Sequence, residues 1–184
     1  GEQKLAVIGA LSNKISILTG GPGCGKTYTT KTIVDNLTES FKEVIICAPT
    51  GKAAARSSEV IGHKAMTIHR LLEFDFVAKN FTRNYDNPIN CDYLIVEESS
   101  MIDIKLMASL LDSIPEDCQV LFVGDHEQLP PIGPGSPFKD MINSGAVPSY
   151  RLNKIFRQGL NSDIVKSAHS ISKGSPVNLM SPIV

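Results

Sequence analysis

Two rhythms alternate along this chain. Short, mostly apolar runs occupy 15–19, 43–48, 93–97 and 119–124, and between them apolar residues recur every three or four positions over 2–11, 27–37, 52–61 and 104–111. Continuous apolar runs predict strands buried on both faces, and the three-to-four spacing predicts helices packed over them. Their alternation predicts an α/β fold, a parallel sheet with helices on both faces. Shorter helices are expected at 67–72 and 138–142, a last short strand at 149–152, and a helix at 162–173 with Ser162 as its N-cap and Gly174 as its stop. Two stretches break the rhythm. Residues 74–90 mix asparagines with aromatics without a sustained period and predict a loop or a small hairpin insertion. Residues 128–137 hold four prolines and two glycines, which excludes regular structure there.

Composition narrows the class. A length of 184 residues suits one domain with a sizeable core, and 1–184 is expected to be a single domain without repeats. The formal net charge of −1 excludes a globally basic surface, so any contact with a polyanion has to be local. No run approaches the roughly 18 apolar residues of a membrane span and no signal segment leads the chain, so a cytoplasmic protein without a membrane is expected. The four cysteines (Cys24, Cys47, Cys91 and Cys118) contain no C-x-x-C pair, which predicts reduced thiols. Neither are the four histidines spaced as metal ligands.

The strand at 15–19 runs into Gly20-Gly21-Pro22-Gly23-Cys24-Gly25-Lys26-Thr27, the Walker A pattern G-x-x-x-x-G-K-[ST], and a helix follows. Glycines let the backbone turn tightly enough for successive N–H groups to face phosphate oxygens, and the helix N-terminus adds its positive end. Lys26 is expected to reach the outer phosphates, and the Thr27 hydroxyl to ligate Mg²⁺. A nucleoside triphosphate is the implied ligand. The apolar run at 93–96 ends in Glu97-Glu98. In P-loop proteins the strand beside the first one brings its carboxyl end to the phosphates, where one carboxylate can hold Mg²⁺ and a second can polarise the attacking water. After the next strand comes Gly124-Asp125-His126-Glu127-Gln128, in which Gln128 is the candidate to sense the γ-phosphate; turn chemistry and loop solvation account for Asp125 and Glu127. Between 52 and 70 the charges are Lys52, Arg56, Lys64 and Arg70 against Glu59 alone, a net +3 that suits a local nucleic-acid contact.

Taken in order, Gln3, the Walker A stretch, Ala48-Pro49-Thr50-Gly51-Lys52-Ala53-Ala54, Thr67-Ile68-His69-Arg70-Leu71-Leu72, Glu98-Ser99-Ser100-Met101, Gly124 to Pro131 and Phe156-Arg157-Gln158 resemble the first RecA-like motor domain of superfamily 1 DNA helicases, in their RecD-like (exodeoxyribonuclease V alpha) and TraI-like branch. The resemblance covers nearly the whole chain. It implies a RecA-like P-loop ATPase fold, ATP and Mg²⁺ as cofactors, and the single-strand translocation of a 5′-to-3′ helicase in recombination and repair, alone or with nuclease-complex subunits. It further implies that Gln3 reads the adenine edge, Gly21 to Tyr28 hold the nucleotide, and Lys26, Glu98, Gln128 and Arg157 act in catalysis. Thr27 and Glu97 are implied as the Mg²⁺ ligands. Thr50, Gly51, Lys52, Thr67, His69 and Arg70 are implied to touch single-stranded DNA, and Gly133, Gly135, Ser136 and Phe138 match a loop near it.

Two departures stand out. The family pattern has Asp where this chain has Glu97, a side chain longer by one methylene, which puts the Mg²⁺ assignment in question. The family also works with two RecA-like domains, and only ten residues follow Gly174, so the chain is expected to be one part of a larger motor. Two other readings stay open: a nucleotide-gated module that grips DNA or a partner without turnover, and a P-loop kinase. The kinase would need an arginine-rich lid, whereas the five arginines here are scattered.

Overall fold

The computed structural model describes residues 1–155. In chain order its elements are α1 (Glu2–Ser12), β1 (Ile15–Gly20), α2 (Lys26–Glu39), β2 (Val44–Ala48), α3 (Gly51–Ile61), β3 (Ala65–Thr67), α4 (Ile68–Leu71), β4 (Phe74–Asp75), β5 (Asn80–Phe81), β6 (Tyr93–Val96), a 3₁₀ turn at Ser99–Met101, α5 (Ile104–Asp112), β7 (Gln119–Gly124), α6 (Pro137–Ser144) and β8 (Ser149–Leu152). Six strands form one sheet in the order β3-β2-β6-β7-β1-β8, and every pairing in it is parallel.

Alternate side chains of each strand go to opposite faces, and each face has its own core. Leu18, Ile46, Tyr93, Ile95, Leu121 and Val123 meet Ala6 and Ala10 of α1, Ile33, Val34 and Leu37 of α2, and Ile61 of α3. Their neighbours Ile17, Cys47, Leu94, Val96, Val120 and Phe122 meet Ile68 and Leu71 of α4, Met107 and Leu110 of α5, and Phe138 of α6. The two-sided cover is why the strands read as unbroken apolar runs. All four cysteines are buried and free, with Cys91 Sγ and Cys118 Sγ 3.2 Å apart.

Beyond shifts of one or two residues at element ends, such as α6 running Pro137–Ser144, three departures from the sequence reading bear on the site. Residues 65–67, not expected to be a strand, form β3 by pairing Ile46 with Ala65 through Ala48 with Thr67. The strand carrying Glu97 does not lie beside the first strand, because β7 sits between β6 and β1. That insertion places the ends of β6, β7 and β1 in a row. Finally, α2 opens at Lys26, one residue earlier than the pattern suggested. Within 74–90, β4 and β5 pair antiparallel through Phe74–Phe81 and Asp75–Asn80. The expected helix at 162–173 lies outside the described residues.

Candidate nucleotide site and nucleic-acid face

β1 ends at Gly20 and the chain turns into α2 through a loop whose geometry demands glycine at Gly20, Gly23 (φ 77°) and Gly25. Gly25, which caps α2, has φ 87°, a conformation that side-chain-bearing residues rarely adopt. A Cβ on Gly20 would stand 2.7 Å from the Leu152 carbonyl oxygen of the neighbouring strand β8. Lys26 then folds back over the loop, its Nζ donating to the carbonyls of Gly20 at 2.6 Å and Gly21 at 3.0 Å. Thr19 at the end of β1 is tied to the end of β7. Its Oγ1 lies 2.9 Å from His126 Nδ1 and also accepts from the His126 backbone N–H.

A cavity of about 370 Å³ opens over this loop. Gly23, Lys26 and Thr27 enter it from the loop and α2, Glu97 and Glu98 from the end of β6, and Asp125 and Gln128 from the end of β7. The row of strand ends β6-β7-β1 is what gathers them. Of the remaining loop residues expected to hold a nucleotide, Pro22 and Gly25 also line the cavity. Gly21 contributes its carbonyl to Lys26, the Cys24 side chain turns into the core beside Ala6 and Ala10, and Tyr28 is exposed on the first turn of α2. Burial pushes the Cys24 thiol up, so it is no reactive thiolate. Gln3 is half-buried on the first turn of α1 and is not among the residues that line the cavity. Helix α1 packs against the loop through Ala6 and Ala10, which share a core with Cys24, and its Glu2 carboxylate accepts from the Asn153 N–H at 2.9 Å. Arg157 lies outside the described residues.

The two carboxylates differ. Glu97 is pushed up to about 7, first by burial and then by the adjacent Glu98; the Thr30 hydroxyl and Lys26 oppose the shift only in part. The Thr30 oxygen is close enough to act on the carboxylate, yet it and Glu97 Oε1 are both buried without a hydrogen-bond partner of proper geometry. An unpartnered, buried carboxylate oxygen on a residue that lines the same cavity as Thr27 belongs to a donor set that a divalent cation fits, because the cation supplies the missing positive partner. Glu98 instead adopts the left-handed conformation, φ 51° and ψ 40°, and opens the 3₁₀ turn. A non-glycine residue there is strained, and such strain clusters where a side chain must be aimed. Within the turn, the Ser100 hydroxyl donates to Gln128 Oε1. Glu127 pairs at the surface with Arg151 at 3.0 Å, and Asp125 folds its own turn by accepting from the Glu127 N–H.

Sequence reasoning missed one wall of the cavity. Ala53, Arg56, Ser57 and Val60 line it from α3 at helical spacing. That spacing was readable, but nothing local says which face of α3 turns to the P-loop.

The residues expected to meet nucleic acid form a second cluster. Thr50 caps α3 by accepting from the Ala53 N–H, and Thr67 caps α4 by accepting from the Arg70 N–H, both at 3.2 Å. Pairing of Ala48 with Thr67 sets these two helix starts side by side at the sheet edge. Gly51, Lys52, His69 and Arg70 sit on their first turns. The His69 ring is also engaged by the hairpin, with its centroid 5.5 Å from that of Phe74 and 5.4 Å from that of Phe81.

A parallel sheet, a glycine loop entering a helix at Lys26, and acidic and amide side chains at the two neighbouring strand ends together define a RecA-like P-loop fold. The chain belongs to the AAA domain family, whose sequence model matches residues 3–134. It is similar to the ATP-dependent RecD2 DNA helicase of Deinococcus radiodurans, 41% identical over 174 residues, which cover 94% of this chain and 24% of that protein. The RecBCD enzyme subunit RecD of Buchnera aphidicola (from Acyrthosiphon pisum) is 35% identical over 83% of this chain and 31% of its own length. The chain thus spans about a quarter to a third of these relatives. The crystal structure of Pif1 helicase from Candida albicans superposes with a TM-score of 0.70 at 23% identity, covering 96% of this chain and 44% of that one, and shares the fold. Among the described residues no helix is long and apolar enough to cross a membrane.

Proposed function

We propose that this chain is the ATP-binding motor domain of an ATP-dependent DNA helicase of recombination and repair, in which ATP hydrolysis drives 5′-to-3′ movement along single-stranded DNA. One observation carries the reading: Lys26, Glu98 and Gln128, from the ends of three adjacent strands, line one cavity over a glycine loop. Had the carboxylate and the amide lain across the sheet from Lys26, no phosphoryl chemistry could join them.

In this reading Lys26 leaves the Gly20 and Gly21 carbonyls for the outer phosphates, and Gly23 and Gly25 bring the backbone close to them. Thr27 and Glu97 hold Mg²⁺, which when bound neutralises charge on the phosphates. Glu98 accepts the proton of the attacking water, Gln128 senses the terminal phosphate, and Arg157 stabilises charge as an arginine finger does. Gln3 and the first turn of α1 sit on the adenine side. The paired starts of α3 and α4 offer N–H groups, Lys52 and Arg70 to phosphates of the DNA strand. The resemblance to RecD proteins supports nuclease-complex subunits as partners and a cytoplasmic setting, and a second RecA-like domain as the other half of the motor.

The experiment is ATP turnover by the purified protein with and without oligothymidylate. Stimulation by DNA, abolished in Glu98→Gln, supports the motor. Tight nucleotide-dependent DNA binding without turnover would favour the gated module instead. Phosphate transfer to a small acceptor would favour the kinase.

A further inference from the structure

In the sequence Arg56 is one of the basic residues of a local patch. Its position says more. It shares one face of α3 with Ala53, Ser57 and Val60, and that face lines the same cavity as Lys26, Thr27 and Glu98. Arg56 is exposed, and among the described residues it makes no ion pair. Three carboxylates, those of Glu97, Glu98 and Asp125, face this cavity, and among the described residues the cations that line it with them are Lys26 and Arg56. Besides the Mg²⁺ and Arg157 of the proposed function, a triphosphate brought in among three carboxylates draws on the cations that line the cavity, the Lys26 ammonium and the Arg56 guanidinium. The guanidinium is always charged, presents a planar fork that matches phosphate oxygens, and binds them through short charge-assisted bonds.

Resting on the proposed function, we infer that Arg56 is a ligand of the terminal phosphate supplied from within this domain, and so a residue that distinguishes nucleoside triphosphate from diphosphate. The geometry gives the contact a consequence. α3 begins at Gly51, beside the Thr50 cap on the nucleic-acid face, and Arg56 lies within its next two turns. One rigid helix therefore has a nucleotide-sensing residue near its middle and the expected DNA contacts at its start.

The test compares wild type with Arg56→Gln and Arg56→Lys in the purified protein, using Mg²⁺ with either ADP or the slowly hydrolysed analogue adenylyl imidodiphosphate. Affinities are read by calorimetry and folding by thermal melting. A lost charge-assisted contact weakens analogue binding roughly tenfold or more. Arg56→Gln is expected to show that loss with ADP affinity within about twofold of wild type, and Arg56→Lys, which keeps the charge but not the fork, to fall between. Unchanged affinity for both nucleotides overturns the inference, as does an equal loss for both, which would mark Arg56 as a general support of the pocket. Weakened binding of oligothymidylate by Arg56→Gln without nucleotide, with both nucleotide affinities intact, also overturns it and assigns Arg56 to the DNA. Wild type that binds neither nucleotide overturns the reading of the cavity itself, a failure distinct from these.

Discussion

The Ser100 hydroxyl donates to Gln128 Oε1 at 3.0 Å, joining the turn that follows Glu98 to the loop that follows β7. Two strand ends that approach the cavity separately are thereby held in one register. With its oxygen engaged by Ser100, the Gln128 amide has its NH₂ free to donate to a phosphate oxygen or a water. Ser100→Ala removes a neutral hydrogen bond of about 1 kcal/mol, a factor of about five. Turnover should fall by about that factor while the affinity for Mg²⁺-ADP stays level. An equal loss in ADP affinity would show that Ser100 shapes the pocket and does not position the amide.

Glu98 illustrates a strained residue at the same site. Its left-handed backbone costs about 1 kcal/mol for a residue with a side chain, and glycine adopts it freely at a modest cost in chain entropy. Glu98→Gly should therefore melt at or slightly above the wild-type temperature. ATP turnover should drop by roughly a hundredfold or more, as expected on losing a general base. A variant that melts several degrees lower would mean that the glutamate side chain holds the 3₁₀ turn together.

Much of this was legible before any coordinates, and the reason is locality. The strand, the glycine loop and the helix opening at Lys26 are consecutive, so their chemistry is written in adjacent residues. The unread features are those that depend on distant partners. Ala65–Thr67 has no strand signal of its own and becomes β3 only because β2 offers an edge. The insertion of β7 between β6 and β1 is a matter of strand order, which no spacing encodes. Arg56 reads as one more surface cation until the turn of α3 toward the P-loop is known. Neither the φ of Glu98 nor the isolation of Glu97 leaves a trace in composition.

Glu97 gives a prediction about pH. Its carboxyl is raised from the ordinary 4.5 to about 7, so between those values the folded protein binds more protons than the unfolded chain. Stability then falls as pH rises through that window and stays low above it. In the absence of nucleotide and divalent ions, Glu97→Gln should raise the melting temperature at pH 8 by several degrees. At pH 5, where the native carboxyl is already neutral, the gain should be small. The penalty behind this is on the order of 3 kcal/mol. Equal melting shifts at both pH values would show that the carboxylate is not desolvated. With Mg²⁺ and ATP present, Glu97→Asp should preserve or raise turnover, and a tenfold drop would show a site built around the longer arm.

Gly51 tests the nucleic-acid face. It opens α3 with an ordinary negative φ, and a Cβ built there meets nothing within 4 Å. Neither backbone conformation nor crowding inside the protein asks for glycine at this position. What remains is an external group that comes close to the backbone N–H at the helix start, as a DNA phosphate does. Alanine is the better helix former by up to about 1 kcal/mol, so Gly51→Ala should leave the melting temperature unchanged or higher. The added methyl stands where the phosphate approaches, and a hydrogen bond to a charged group contributes about 1.5–3 kcal/mol. Oligothymidylate affinity, read by fluorescence anisotropy at fixed salt, should fall roughly tenfold while Mg²⁺-ADP affinity holds. Undiminished DNA affinity in a folded Gly51→Ala protein would move the strand's path away from the start of α3, and with it the pairing of α3 and α4 as a phosphate-binding edge.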